Sequence, residues 1–487
     1  MAAVRERLEE IDTARPAIAK LRASKPFALS DVGNAEFFAA RFGDVVRFDH
    51  RRGGWLVWVG HRWAVDRTGE VRRLAKKAIR VRLREAASIV DDGKRAAAVR
   101  WAATSESRGR LESMLVLAQS EAPIADAGDA WDKDPWLLGV KNGVVNLKTG
   151  ECRAGRTDDR ITFCCGVDFD AAARCPRWLS FLDEVFGGDR ALIALVLRAL
   201  GYSLTGRTTE QCLFLCHGDG ANGKSTFLQA LRHVWGDYAL NTPFSTFESR
   251  QRTGIPNDVA ALDGRRFVMA SETNDGTQLN EARVKAITGS DPVSARFLHQ
   301  EFFQFDPVAK VWLAVNHRPI VRDDSHGFWR RVRVVPFGVR FNGGNPRLLE
   351  ELKGEGPGIL ALLVRECVEW QRHGLPLSIA VASATGRYEA DSDPLSDFLD
   401  EACERGDGRT VGAADLFKRY STWATLAGIG EGERLTGTAF GRRMSARFDS
   451  KKLSTGKVYT GLALRRDAAV ATNQAEVTGC REEVSRS

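Results

Sequence analysis

The chain has 487 residues, 43% of them hydrophobic and 28% charged, with a formal charge of +8. This is too long for one ordinary core and predicts about two to four domains, and the composition excludes a fibrous or wholly disordered chain. The start, MAAVRERLEE, has no apolar signal-peptide core, and the most apolar run, residues 191–200, is too short to cross a bilayer and is broken by Arg198.

Residues 1–30 read as a charged helix and linker, and residues 34–42 as a helix. Tryptophan and valine then alternate around a glycine turn, Trp55-Leu-Val-Trp58 and Gly60-His-Arg-Trp63, which predicts a β-hairpin. Residues 67–122 are rich in Ala, Arg and Leu at helical spacing, and residues 131–150 carry short strands. Pro176 opens a helical block that runs to about residue 204. From 211 to 341 short apolar strands alternate with helices, an α/β pattern. Residues 346–390 are helical. After Asp393 come three helices and two strands near Leu453 and Val458, the order of a winged helix-turn-helix, and then a polar tail over 467–487.

The nine cysteines contain no CxxC pair, so reduced thiols are expected rather than a zinc site. The positive charge is concentrated near the C-terminus. Arg442, Arg443, Arg447, Lys451, Lys452, Lys457, Arg465 and Arg466 face only Asp449 between 436 and 466. A basic stretch of this kind suits a polyanion, with Arg442, Arg443 and Lys451 as candidate DNA contacts, although a solvated face or a protein-docking surface has the same composition.

The chemistry centres on Gly218-Asp219-Gly220-Ala221-Asn222-Gly223-Lys224-Ser225-Thr226. An apolar strand precedes it (212–216), and a helical face of Phe227, Leu228, Leu231 and Val234 follows. This is the setting in which a GxxxxGKS loop turns its backbone N–H groups onto phosphate oxygens. Lys224 is placed to reach the β- and γ-phosphates of ATP, and Ser225 to ligate Mg²⁺. A second strand ends in Ser271-Glu272, where a carboxylate can orient water and help hold the metal. A third, residues 311–315, ends in Asn316, whose amide can sense the γ-phosphate. Arg330 and Arg331 then precede another strand, where an arginine supplied across a subunit boundary would stabilise transition-state charge.

The motifs GDGANGKST (218–226), GRRFVMASE (264–272), KAITGSDPVSAR (285–296), VWLAVN (311–316) and FWRRVRVVPF (328–337) resemble, in that order, superfamily 3 helicases of the phage/plasmid primase-helicase branch that includes P4-type and poxvirus D5-type proteins. Residues 131–151 and 175–189 resemble the segment ahead of the motor in that branch. The resemblance implies an AAA+-like P-loop motor with a parallel sheet, an α+β region before it and a winged helix after it. The expected boundaries are 1–30, 31–174, 175–345, 346–392, 393–466 and 467–487. It implies a hexameric ring moving on single-stranded DNA, usually 3′ to 5′, and opening forked DNA. ATP and Mg²⁺ would be held by Lys224, Ser225 and Glu272, with Asn316 as sensor and Arg331, or its neighbour Arg330, as finger. A β-hairpin over 293–305 would point into the channel, with Lys285, Arg296 and His299 as DNA contacts. Only about 30 residues precede the helicase-associated segment, so helicase without primase activity is expected, a separate chain supplying the primase or polymerase. The expected setting is the cytoplasm of a bacterial host, on a phage- or plasmid-type element, with no membrane association. An ATP-dependent initiator or loader is the alternative; a small-molecule kinase leaves the sensor, the arginine pair and the winged helix without a role.

Overall fold

The computed structural model describes residues 27–249, 257–271, 276–296, 301–323, 325–393, 395–431, 434–454 and 456–465. The expectations placed on residues 1–26, Glu272, His299, Arg466 and residues 467–487 lie outside these. The chain divides into two compact units, one up to Gly386 and one from Arg387.

In the first unit, Ser30 caps helix α1 (Asp31–Phe42) by accepting the Gly33 N–H at 3.1 Å. Strands β1 (Val46–Asp49), β2 (Gly54–Trp58) and β3 (Trp63–Val65) follow. The tryptophan hairpin forms as the alternation predicts: Trp58 pairs with Trp63, their ring centroids 5.6 Å apart. Helices α2 (Glu70–Ala87), α3 (Asp92–Ser105) and α4 (Arg108–Ala118) then return the chain to β4 (Ala125–Asp126), which joins β1 in parallel. A three-stranded antiparallel sheet comes next: β5 (Leu137–Val140), β6 (Gly143–Asn146) and β7 (Glu151–Arg153). This is an α+β region.

Pro176 occupies the first turn of α5 (Pro176–Val185), where its missing N–H costs nothing. The Glu355 carboxylate accepts the N–H groups of Arg177 and Trp178 at 3.0 and 2.8 Å, satisfying two free donors at that helix start. Helix α6 (Arg190–Ser203) is buried almost all round. The chain then enters β8 (Leu213–His217), α7 (Lys224–Trp235), β9 (Ala239–Asn241), α8 (Asn257–Ala260), β10 (Phe267–Ser271) and α9 (Glu281–Thr288). A small antiparallel hairpin follows, β11 (Val293–Ala295) with β12 (Phe303–Phe305), then β13 (Lys310–Val315), α10 (His326–Trp329) and β14 (Val332–Pro336).

Five of these strands form one parallel sheet in the order β14-β8-β13-β10-β9. The three inner strands β8, β13 and β10 are buried along almost their whole length, as in a parallel sheet covered on both faces, whereas the edge strands β9 and β14 are partly open. At its centre Trp312 is fully buried. It stacks on Phe214 at 4.2 Å and donates from Nε1 to Ser203 Oγ at 3.2 Å. Trp312→Ala is expected to destabilise this unit by about 3–5 kcal/mol. The check is a urea titration followed by far-UV circular dichroism, and an unchanged midpoint would contradict this packing. Helices α11 (Leu348–Gly354), α12 (Gly356–His373) and α13 (Ile379–Asp391) follow the sheet.

The second unit holds α14 (Ser396–Ala402), β15 (Cys403–Gly412), α15 (Ala413–Leu426), α16 (Gly437–Arg447), β16 (Ser450–Leu453) and β17 (Gly456–Leu464). Its core gathers Phe398, Leu416, Tyr420, Phe440, Met444, Tyr459 and Leu462. The three expected helices and the hairpin β16–β17 are present, and β15 is an addition that pairs antiparallel with β17. Among the described residues, no helix is long and apolar enough to cross a membrane.

Candidate nucleotide and nucleic-acid sites

The register fixes the loop's surroundings. Val315 of β13 and Pro336 of β14 both lie level with His217, the last residue of β8. Gly218 therefore leaves the sheet at its C-terminal edge, between two flanking strand ends, where open parallel sheets bind ligands. A side chain at Gly218 would come within 2.2 Å of Phe337 O. Gly223 caps α7 at φ +86°, and a Cβ there would lie 2.7 Å from Val185 Cγ1. Both positions therefore require glycine.

Asn222 is buried and braces the loop from inside. Its Nδ2 donates to Asp219 O and, at 3.2 Å, to Phe337 O. From outside, Phe341 N donates to Ala221 O at 2.9 Å. The segment 337–341 is thus a support that sequence reasoning missed, because a strand's exit carries no motif. Lys224 is only 6% exposed, and its ammonium donates to Gly218 O and, at 3.0 Å, to Asn222 Oδ1. Burial lowers its pKa from the ordinary lysine value, and Asp219 opposes the shift. Ser225, Asp219 and Gly220 are exposed at the mouth, and Thr226 is half-buried on α7. A buried cation without a carboxylate partner among the described residues, two obligatory glycines and an open helix start suit a phosphate. Ser225 offers one oxygen to a metal; Glu272, its expected partner, lies outside the described residues.

Asn316 directly follows β13 and is exposed at the same edge as Gly218. Ser271 closes β10 one register step lower, opposite Ala314. His217 and Arg318 complete the surroundings. Burial lowers the imidazole pKa, and Arg318 and Lys224 push it further down. Arg318 is a cation near the loop that no motif marked.

Arg330 and Arg331 sit elsewhere. Arg331 O accepts the Leu213 N–H at 2.8 Å, so both arginines are at the N-terminal edge of β8 and β14. A full strand, about 15 Å at 3.3 Å per residue, separates them from their own chain's loop. Arg330 is exposed, and Arg331 is half-buried. Both donate to Gln211 Oε1, and Arg331 also donates to Gly327 O.

The candidate DNA contacts divide. Lys285 pairs with Asp323 and donates to Ser325 Oγ at 3.1 Å, so its charge is locally compensated. Arg296 is exposed beside the hairpin and lies over Phe302, itself 55% exposed, at 4.9 Å. In the second unit Arg442 and Lys451 are exposed, whereas Arg443 is 7% exposed on the core side of α16 with Phe440 and Met444. That burial takes Arg443 off the surface expected of it. Arg447 makes a two-pronged ion pair with Asp393 at 2.7 Å.

Residues 35–187 match the family model described as "D5 N terminal like", and residues 216–331 match "Family of unknown function (DUF5906)". "Putative helicase L207/L206" of Acanthamoeba polyphaga mimivirus is 26% identical over 60% of this chain and 33% of its own length. "Putative helicase 022R" of Frog virus 3 is 22% identical over 61% and 39%, respectively. "Putative primase C962R" of African swine fever virus is 29% identical over 44% and 24%. The chain thus spans 24–39% of the length of these relatives. Among solved structures, the apo C-terminal region of NrS-1 aligns with 90% of this chain and 99% of that one, at 11% identity and a TM-score of 0.44. Two family models thus lie in succession over residues 35–187 and 216–331, and the chain is similar to viral proteins named for helicase and primase.

Proposed function

We propose that the chain is a P-loop ATPase motor that assembles into a hexameric ring on single-stranded DNA and opens forked DNA during replication of a phage- or plasmid-type element. The observation that carries this reading is the split between the two ends of one parallel sheet. Lys224, Ser225 and Asn316 stand at the C-terminal edge, and Arg330 and Arg331 at the other. Such a site is complete only where a second copy presents its arginines to the loop.

In this mechanism the backbone N–H groups of 218–226 and the Lys224 ammonium bind the β- and γ-phosphates. Asn316 holds the γ-phosphate or the attacking water by its amide, and Glu272 accepts that water's proton. The neighbouring copy's Arg331 neutralises charge on the transferred phosphoryl group. Mg²⁺, held through Ser225 and Glu272, would supply further charge neutralisation when bound with the nucleotide. The second unit is a winged helix whose wing is β16–β17, and Arg442 and Lys451 would rest on DNA phosphates. The viral relatives' names support a replicative role.

The test is fork unwinding by wild type and Lys224→Ala, with mass measured with and without ATP. Hydrolysis that DNA does not stimulate, with no unwinding, would sink the motor. An initiator or loader reading would then stand if Glu272→Gln kept full activity at an origin. For the second unit, Arg442→Ala with Lys451→Ala should weaken DNA binding evenly across sequences. It should also lower the slope of log affinity against log salt by about 2, roughly one per lost phosphate contact. Fluorescence anisotropy across a salt series checks this, and an unchanged slope would assign that face to another partner.

A further inference from the structure

At the N-terminal edge of the parallel sheet, away from the phosphate loop, the first unit encloses a cavity of about 340 Å³. Among the described residues five cations line it: Arg51, Arg52, Lys133, Arg207 and Arg266. Three carboxylates also line it, and two are occupied. Asp132 accepts the N–H groups of Thr162 and Phe163 at 2.7 and 3.2 Å, and Asp263 pairs with Arg51 at 3.5 Å. Asp306 is the third, exposed at the rim.

The floor is built around buried positive charge. Arg266 is 3% exposed, and its guanidinium donates to Leu204 O, Asp134 O and Leu137 O at 2.8, 3.1 and 2.9 Å. Lys310, its neighbour at the start of β13, is 1% exposed. It donates to Thr205 O, to Arg207 O at 3.2 Å and to Val308 O at 2.8 Å. Every one of these acceptors is a neutral carbonyl. Carbonyl dipoles satisfy the donors but leave the net charge of the Arg266 guanidinium, which gives the floor its positive field; at Lys310, behind it, burial and Arg266 itself push the pKa well down from the ordinary lysine value. Lys133 and Arg207 stand exposed at the mouth and add to it.

We propose that this cavity binds a nucleoside phosphate, with the phosphate among Lys133, Arg207 and the Arg266 floor. The volume falls at the small end of ligand pockets, well beyond what a bare phosphate needs. Half-buried Pro135, Phe163 and Val308 give an apolar wall for the base, and Thr208 and Ser290 offer hydroxyls. Ser290 precedes β11 and Asp306 follows β12, so the occupant touches both feet of the hairpin β11–β12. The same chemistry arrives as a free nucleotide or as one unit of a DNA strand.

The experiment uses the full chain carrying Lys224→Ala, with and without Lys133→Glu and Arg207→Glu. Equilibrium dialysis with radiolabelled dTMP tests the free nucleotide, and fluorescence anisotropy with a labelled thymidine hexanucleotide tests the strand. At least one probe should bind the Lys224→Ala protein and lose ten-fold or more in affinity on charge reversal. A fall for dTMP identifies a free nucleotide, and a fall for the hexanucleotide alone identifies a strand. Both reversed residues are exposed, and thermal melting verifies that the fold survives. Binding of neither probe, or equal affinities in both proteins, overturns the proposal. If Lys224→Ala still binds ATP like wild type, the loop assignment fails, and the cavity is judged by its own charge reversal.

Discussion

Lys224→Ala should lower the rate of ATP hydrolysis by about 10²–10³-fold, the cost of removing one preorganised donor from a phosphoryl-transfer site. The side chain is held ready rather than left to search. It is 6% exposed and rests on Gly218 O and Asn222 Oδ1, two acceptors that it exchanges for phosphate oxygens. Burial disfavours its charge, so its pKa lies below the ordinary lysine value; an incoming phosphate restores the missing counter-charge and reverses that shift. The expected loss is therefore functional more than structural. Asn222 keeps its two donations to Asp219 O and Phe337 O, so the loop retains its brace and melting should change little. A phosphate-release assay beside a thermal melt separates the two. Hydrolysis near the wild-type rate from a folded protein would remove the loop from the chemistry. Lys224→Arg should not restore activity, because a planar fork cannot take the place of a compact ammonium between Gly218 and Asn222.

What the sequence made legible follows the range of the forces involved. The strand, loop and helix around 218–235 are local, so glycine placement and an apolar stripe sufficed to place them. The tryptophan hairpin was equally local. The order β14-β8-β13-β10-β9 was not legible, because β13 (Lys310–Val315) enters between two strands that lie far before it in the chain, Leu213–His217 and Phe267–Ser271. The pairing of Lys285 with Asp323 is likewise long-range. β15 carries glycines and charges without alternation and becomes a strand only because β17 offers it an edge. Arg443 is a different case. Counting charge treats Arg442 and Arg443 alike, yet 440, 443 and 444 share one helical face, and Phe440 and Met444 already marked it as the core side. Periodicity held the answer that composition concealed.

The position of the arginine pair yields the other large effect. Arg331→Ala should lower hydrolysis by about 10³-fold or more, the range for losing an arginine finger. Its own chain's loop lies a strand length away, so the loss should be repaired by a second copy. Rings mixed from Arg331→Ala and Lys224→Ala chains, each inactive alone, should recover hydrolysis at about a quarter of their interfaces, where an intact loop faces an intact arginine in a cyclic assembly. Arg330→Ala in the same mixture separates the two neighbours. Arg330 is exposed, whereas Arg331 is half-buried and donates to Gly327 O and Gln211 Oε1, an orientation fixed before any partner arrives. The fixed guanidinium has less freedom to lose on docking, so Arg331→Ala should have the larger effect and the clearer repair. Steady-state hydrolysis across mixing ratios is the measurement. Hydrolysis that stays at the level of the separate variants at every ratio would mean that these arginines serve only the fold of β14 and that the site is completed from elsewhere.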